Sequence, residues 1–354
     1  MNEYAPRTSL LLYSLATNPS SMSHATESLQ DAFLATKRLL YPVSLRRWLA
    51  LAVAAFFVGG TTGFDVNYNV GTGAVDLPGP IVGPRGLFPG IATPEFVVVG
   101  AGVLVVGLVS WYLGSLFEFV FVEQLRTADA RLWGRITPAA GPGLSLFGFR
   151  LVVGLLAAGG ALFAVLLPAA FGAAGVLLLL VFLPGLFVVG VVLWLANRLT
   201  TDFIVPVMIA TDAGLVDAWR VFWPELRGEL REYGLYLLAR VVLGLLAGVV
   251  LAVGYLAVAI VVGIPLLLVF LLTGFVLFEI LLVPVVELLA LGFFFVGVLV
   301  IMVAGTVLVA VPVQAYLRYY ALFVLGGATP KYDLVGEIRD EIEERASSGS
   351  GTES

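Results

Sequence analysis

The sequence predicts an all-α integral membrane protein of about six transmembrane helices in three hairpin units, each preceded by an amphipathic helix at the cytoplasmic interface. Three observations carry this expectation. Of 354 residues, 60% are apolar and only 12% charged, with a mean hydropathy of +1.04, whereas a soluble domain carries about 25% charged residues. Such an excess does not fit one water-soluble core, because cores stop growing beyond ~250–300 residues and surfaces must stay polar. The apolar residues also gather into runs of about 20, the length that crosses ~30 Å of hydrocarbon as a helix. Finally, if those runs are successive crossings, every basic residue except Arg85 falls on one side, and the positive-inside rule makes that side the cytoplasm, with both termini there.

Residues 1–21 carry no apolar period and are expected to be a disordered extension, with Met22 as the start of the repeating unit. Next, Leu29, Phe33 and Leu40 share one helix face and Glu27, Asp31 and Arg38 the other, until Pro42 ends the helix. The first span is expected at 48–64, behind Arg46 and Arg47. A Gly- and Pro-rich loop at 65–94 sets Arg85 among Asp65, Asp76 and Glu95 and belongs outside. Span two follows at 96–117. The stripe Leu125, Ala128, Leu132 and Ile136 predicts a second interfacial helix before span three at 144–167. Span four, 176–196, is kinked by Pro184-Gly185. The charged stretch 197–232 holds a third amphipathic helix, with Leu215, Trp219, Phe222, Leu226 and Leu230 on one face and Pro224 restarting it.

The last apolar block, 241–317, has neither Lys nor Arg and must cross an even number of times to return to the cytoplasm. Two crossings, about 234–262 and 287–317, leave an apolar insert near 263–286 broken by Pro265, Glu279 and Pro284. Lipid-exposed irregular backbone is not tolerated, so the insert is expected to be re-entrant or interfacial; eight spans are the alternative to six. The organisation is thus one polytopic domain, 22–330, followed by an acidic cytoplasmic tail, 331–354. In that tail Leu334, Ile338 and Ile342 recur every four residues in a short helix before a disordered end at 347–354.

The amphipathic stretches also align with one another: Leu29-Gln30-Asp31-Ala32-Phe33 against Leu215-Val216-Asp217-Ala218-Trp219. The run Asp202-Phe203-Ile204-Val205-Pro206-Val207-Met208, then Asp217-Ala218-Trp219-Arg220 and a span, resembles the membrane domain found with some bacterial glycerophosphodiester phosphodiesterases. Asp31-Ala32-Phe33, Pro42, Arg47-Trp48 and the closing Arg318-Tyr319-Tyr320-Ala321-Leu322, Gly326-Gly327 and Pro330 are closer still to an uncharacterised membrane family of halophilic archaea. The resemblance covers about 22–335 and implies six spans. It brings no catalytic residue, because a phosphodiesterase barrel of ~250 residues has no room here. A pI near 5 with only Lys37 and Lys331 as lysines fits a salt-loving, GC-rich source.

The composition also removes chemistries. Without Cys there is no disulfide, Fe–S cluster or thiolate zinc site, and with His24 alone there is no bis-His haem or Ser-His catalysis within the chain. The glycines of the 65–94 loop precede no Lys in a strand–loop–helix setting, so phosphate cradling is rejected. A net charge of −5 argues against a nucleic-acid partner.

Ionisable groups in lipid are functional suspects by default. Four acids qualify: Glu118, Asp202, Glu279 and Glu287. Their plain readings are a solvated boundary residue for Glu118 (with Glu123), a helix cap for Asp202, and outer-interface positions around Pro284 for Glu279 and Glu287. The sharper reading of the last two is a protonation or cation path. Trp48, Tyr316, Tyr319 and Tyr320 read as interfacial anchors. Gly244, Gly248 and the small residues 157–161 read as close helix packing. The expectation is a non-enzymatic module without cofactor or metal that organises membrane lipid or partner proteins, with the acidic tail as a solvated end or a docking element for a partner. A transporter or channel is the alternative.

Overall fold

The computed structural model describes residues 24–41, 44–61, 94–129, 132–278 and 283–350, and among them every regular element is helical. In chain order these are α1 (His24–Leu40), α2 (Leu45–Thr61), α3 (Pro94–Thr127), α4 (Ile136–Leu199), a π-helical segment (Thr200–Ile204), α5 (Val205–Thr211), α6 (Leu215–Gly228) and α7 (Leu230–Val258). A second π segment (Ala259–Gly263) leads into α8 (Ile264–Phe278). Then come α9 (Val283–Gly305), a third π segment (Thr306–Ala310), α10 (Val311–Ala328), a 3₁₀ turn (Pro330–Tyr332) and α11 (Gly336–Ser350). Four stretches are long and apolar enough to cross a membrane: Gly100–Thr127, Ile136–Thr211, Leu230–Thr273 and Leu288–Ala328. The expected first span corresponds to α2, which has 17 residues. The 1–21 extension and the 65–93 part of the first loop lie outside the described residues.

The α4 helix is two limbs joined at Gly172, whose φ of 57° and ψ of −131° break the helical run. Glycine adopts that backbone without a Cβ clash. Phe163 meets Phe182 at 5.7 Å between ring centroids, and Gly160 faces Leu186, so the limbs run back along each other. A Cβ on Gly175 would fall 2.1 Å from the Leu167 carbonyl oxygen, which is why the turn needs glycine on both sides.

The second pair is longer. Tyr255 hydrogen-bonds Thr306 at 3.1 Å, Gly254 faces Val309, Gly263 faces Ile301, and Phe270 stacks on Phe293 at 5.3 Å. This ladder runs from α7 and α8 onto α9 and the third π segment. The insert expected near 263–286 is helical where it is described: α8 and α9 prolong the pair, with 279–282 outside the described residues.

Each π segment has the same cause. Pro206, Pro265 and Pro312 each stand two residues after the segment's last residue. A proline ring clashes with the carbonyl four residues back, and widening the preceding turn relieves that clash without breaking the helix. The Val205 N–H accordingly reaches back five residues to Thr200 and the Val311 N–H to Thr306, while the Ile264 N–H has returned to the α pattern and reaches Ile260.

Burial is concentrated at one end. The core takes Ala32, Ala35 and Leu39 of α1, Leu51 of α2, residues 116–122 of α3 apart from Glu118, Leu146, the 203–208 stretch, Phe222 of α6, Tyr236 of α7 and most of α10. Away from it, Leu104, Leu155, Val181, Phe187, Val253 and Leu272 are exposed. Bare apolar helices of this length are covered by lipid, not water. The chain is a membrane protein with its protein core gathered at one end.

Three amphipathic interfacial helices were expected, and helices form at two of the three places. In α6 the stripe holds: Ala218, Phe222 and Leu226 are buried and Leu215 and Trp219 pack beside them, but Leu230 is exposed and the helix runs through Pro224 to Gly228. In α1 the buried face is Ser28, Ala32, Ala35, Thr36 and Leu39, and Phe33 is exposed; small residues let α1 lie close along α10. The predicted helix before span three does not form. Leu125 belongs to α3, a break with Ala128 (φ 48°) and Gly134 (φ 92°) follows, and α4 starts at Ile136. The tail is folded back on the bundle: Val335 and Ile338 are buried, Arg38 pairs with Glu341 at 2.6 Å, and α11 continues past the expected break at 347.

Candidate functional site

Inside the buried end, six ionised side chains and their polar neighbours form one network. Glu118 of α3 is 0% exposed. Its Oε1 accepts from Arg150 Nη2 at 2.9 Å, and its Oε2 is paired with Arg318 of α10. Arg150, near the start of α4, also donates to the Thr201 hydroxyl at 3.0 Å and to Ser115 at 3.4 Å. Arg318 donates to the Thr201 carbonyl at 2.7 Å and reaches Asp202 Oδ1 at 3.4 Å.

The Thr201 carbonyl is available for a physical reason. In the widened turn its helical donor would be the amide of residue 206, which is proline and has no N–H. A guanidinium takes the place of the missing amide. The same π segment turns Asp202 inward, where Arg198 Nε lies 2.6 Å from Oδ2 and the Tyr236 hydroxyl donates to that oxygen at 2.6 Å. Arg240, one turn beyond Tyr236 on α7, reaches Asp202 Oδ2 only at 3.8 Å.

Aromatic rings seal the cluster on one side. Tyr236 stacks on Tyr320 at 5.3 Å, and Phe203 packs edge-on against Tyr233 and Tyr236. Thr200 accepts from Trp219 Nε1 of α6 at 3.2 Å, and the Tyr319 hydroxyl donates to the Leu125 carbonyl at 2.9 Å. A cavity of about 60 Å³ remains, lined by Glu118, Arg198, Thr201, Asp202, Arg240, Gln314 and Arg318 with apolar neighbours. Among the described residues no group of His, Cys, Asp and Glu is arranged to hold a metal ion.

Of the four acids singled out from the sequence, the structure brings two together. Glu118 is not a solvated boundary residue and Asp202 is not a helix cap: both are buried centres of the ion network. Glu279 lies outside the described residues, as does the side chain of Glu287 in α9. The expected anchors also shift inward. Tyr319 and Tyr320 are buried in the core, Tyr316 is half-buried, and Trp48 is half-buried and donates to the Leu40 carbonyl at 3.2 Å. Among the described residues the exposed Trp and Tyr side chains are instead Trp133, at 88%, Tyr41 and Trp223.

Sequence reading missed the arginines. It treated Arg150, Arg198, Arg240 and Arg318 as orientation signals, yet each stands at a span end on the same side as Glu118 and Asp202. That shared level was the available signal for pairing.

A family model described as a family of unknown function (DUF7544) matches residues 23–335, and the chain belongs to that family. No curated protein and no solved structure matches it.

Proposed function

We propose that this member of the DUF7544 family is a non-catalytic integral-membrane module that organises the lipid or protein around it. The observation that carries the reading is the ion network, which ties α3, α4, the 200–204 turn, α7 and α10 into one fixed clamp and spends both buried carboxylates on holding helices together. Each buried carboxylate is engaged by arginines from other turns or helices, an arrangement in which breaking one partner is costly and the geometry is held. In this reading the chain crosses the cell membrane six times as three hairpins with both termini cytoplasmic, and the clamp lies at the cytoplasmic level. The four arginines there, with the charged faces of α1 and α6, fit the positive-inside rule. Trp223 of α6, under Arg227 at 4.8 Å, and Trp133 are its interfacial anchors. The likeness to phosphodiesterase-associated membrane domains and to a family of halophilic archaea fits a module that serves other proteins. The acidic tail then serves the bundle first, through Arg38, and a cytoplasmic partner second.

A transporter or channel is the second reading, favoured by the π turn in the middle of the charge cluster, since such turns recur at functional sites. Reconstitution separates the two. Proteoliposomes containing the folded chain are expected to show no saturable anion, cation or proton flux above empty vesicles. A flux that Asp202→Asn abolishes while the protein stays folded overturns the module reading and establishes the transporter.

A further inference from the structure

The charges of the clamp do not balance. Three guanidiniums, Arg198, Arg240 and Arg318, and two carboxylates, Glu118 and Asp202, line the cavity among the described residues, and Arg150 pairs with Glu118 from outside that lining. Arginine stays protonated in proteins, so the described lining carries one more cation than carboxylates. Arg240 is the least compensated: its acid contact is the 3.8 Å approach to Asp202, and its side chain retains 12% exposure. The next acid along its helix, Glu232, is eight residues back, about 12 Å of helix rise.

Next to this cation lies an apolar groove of about 640 Å³ between α1, α7 and α10. Its walls include Phe33, Leu243, Leu246, Val250 and Tyr316, with Lys37 at its α1 side. The cavity and the groove share Ala247, Val313 and Leu317. A cation-rich cavity of this size has room for about four water positions, the space of one small oxyanion. It opens beside a groove that runs on into the lipid-facing part of α7.

We infer that this is a binding site for an anionic phospholipid, whose phosphate pairs with Arg240 and whose acyl chain lies in the groove. The inference rests on the module reading above and names the lipid class that the module holds. Charge complementarity selects the anion, and the shared walls select a lipid over a free ion, because a free phosphate leaves the groove unused. Arg240 and Lys37 supply the two cationic positions, and charge-assisted bonds to phosphate oxygens are among the stronger polar contacts available.

The test uses the full chain purified in neutral detergent, with thermal unfolding and native mass spectrometry as readouts. Phosphatidylglycerol, phosphatidylcholine and inorganic phosphate are added separately. Phosphatidylglycerol is expected to be retained about tenfold better than phosphatidylcholine and to raise the melting temperature. Arg240→Gln is expected to abolish that preference and, without added lipid, to melt higher than the parent, because it removes the least compensated cation of the cluster. Val313→Trp fills the groove without touching a charge and is expected to weaken retention of phosphatidylglycerol. Equal retention of the two lipids overturns the inference. So does inorganic phosphate stabilising as strongly as the lipid, which makes the site a free-anion site. So does R240Q melting lower without lipid while keeping the preference, which makes Arg240 a structural residue only. A flux in proteoliposomes, by contrast, removes the module reading and leaves the lipid preference standing.

Discussion

At the scale of single residues, Glu118 carries the most. It is fully buried and shared by Arg150 and Arg318, so its removal leaves two guanidiniums facing each other in a low-dielectric interior. Breaking a buried pair from one side costs about 3–5 kcal/mol, whereas removing both partners is often near neutral. Glu118→Leu is therefore expected to destabilise by about 3–5 kcal/mol, and E118L/R150L to recover a substantial part of that loss. Unfolding in mixed micelles measures it; losses that simply add show that the pair is not coupled. The residue scale is also where the sequence was hardest to read. Hydropathy gives the depth of Glu118 in a span but not the direction in which its side chain points around the helix, and direction is what separates a solvated acid from a clamped one. Arg150 and Arg318 are 168 residues apart in the chain, and only the folding back at Gly172 and at the tip of the long pair brings them to one carboxylate.

At the scale of elements, the prolines divide into two kinds. Pro206 creates the π turn that frees the Thr201 carbonyl for Arg318 and turns Asp202 inward. Pro184 lies exposed inside α4, where its missing N–H serves nothing in the core. Helix propensity alone favours alanine at both positions by up to about 3 kcal/mol. Pro184→Ala is expected to stabilise and Pro206→Ala to destabilise, and thermal melts of the two variants decide it; a gain at both positions means the π turn is incidental. The same distinction explains what was legible. The α6 stripe followed the helical period through Leu215, Trp219, Phe222 and Leu226 because large apolar residues carried it. The α1 face was misjudged because Ala32 and Ala35, not Phe33, make the close contact with α10. In the 263–286 insert Pro265 was legible as an interruption but not as the cause of a widened turn, which absorbs it within a continuing helix.

For the whole molecule, the described N- and C-terminal helices meet. Arg38 of α1 pairs with Glu341 of α11, and Arg339 donates to the Phe323 carbonyl of α10 at 3.2 Å. An exposed pair of this kind adds little stability by itself, so the docking rests on Val335 and Ile338. Because the chain has no cysteine, R38C/E341C carries only the two thiols introduced. A short bismaleimide reagent is expected to link them within one chain and to leave either single variant unlinked. Absence of an intramolecular link shows that α11 does not dock in solution. The division of the molecule into a packed end and bare apolar arms was legible from composition and runs of apolar residues. The fastening of the packed end was not, because it depends on which ends coincide.

The arms differ in length, and that difference has a mechanical meaning. From Arg150 to Gly172 is 22 residues, about 33 Å of helix, close to the hydrocarbon thickness. From Arg240 to Phe278 is 38 residues, about 57 Å. The long pair is therefore a lever whose fulcrum is the charge clamp: a rotation of about ten degrees at Arg240 displaces its far end by about 10 Å. Bilayer thickness sets how far such an arm must lean. A bilayer of ordinary thickness therefore fits the short pair upright and the long pair only at a lean.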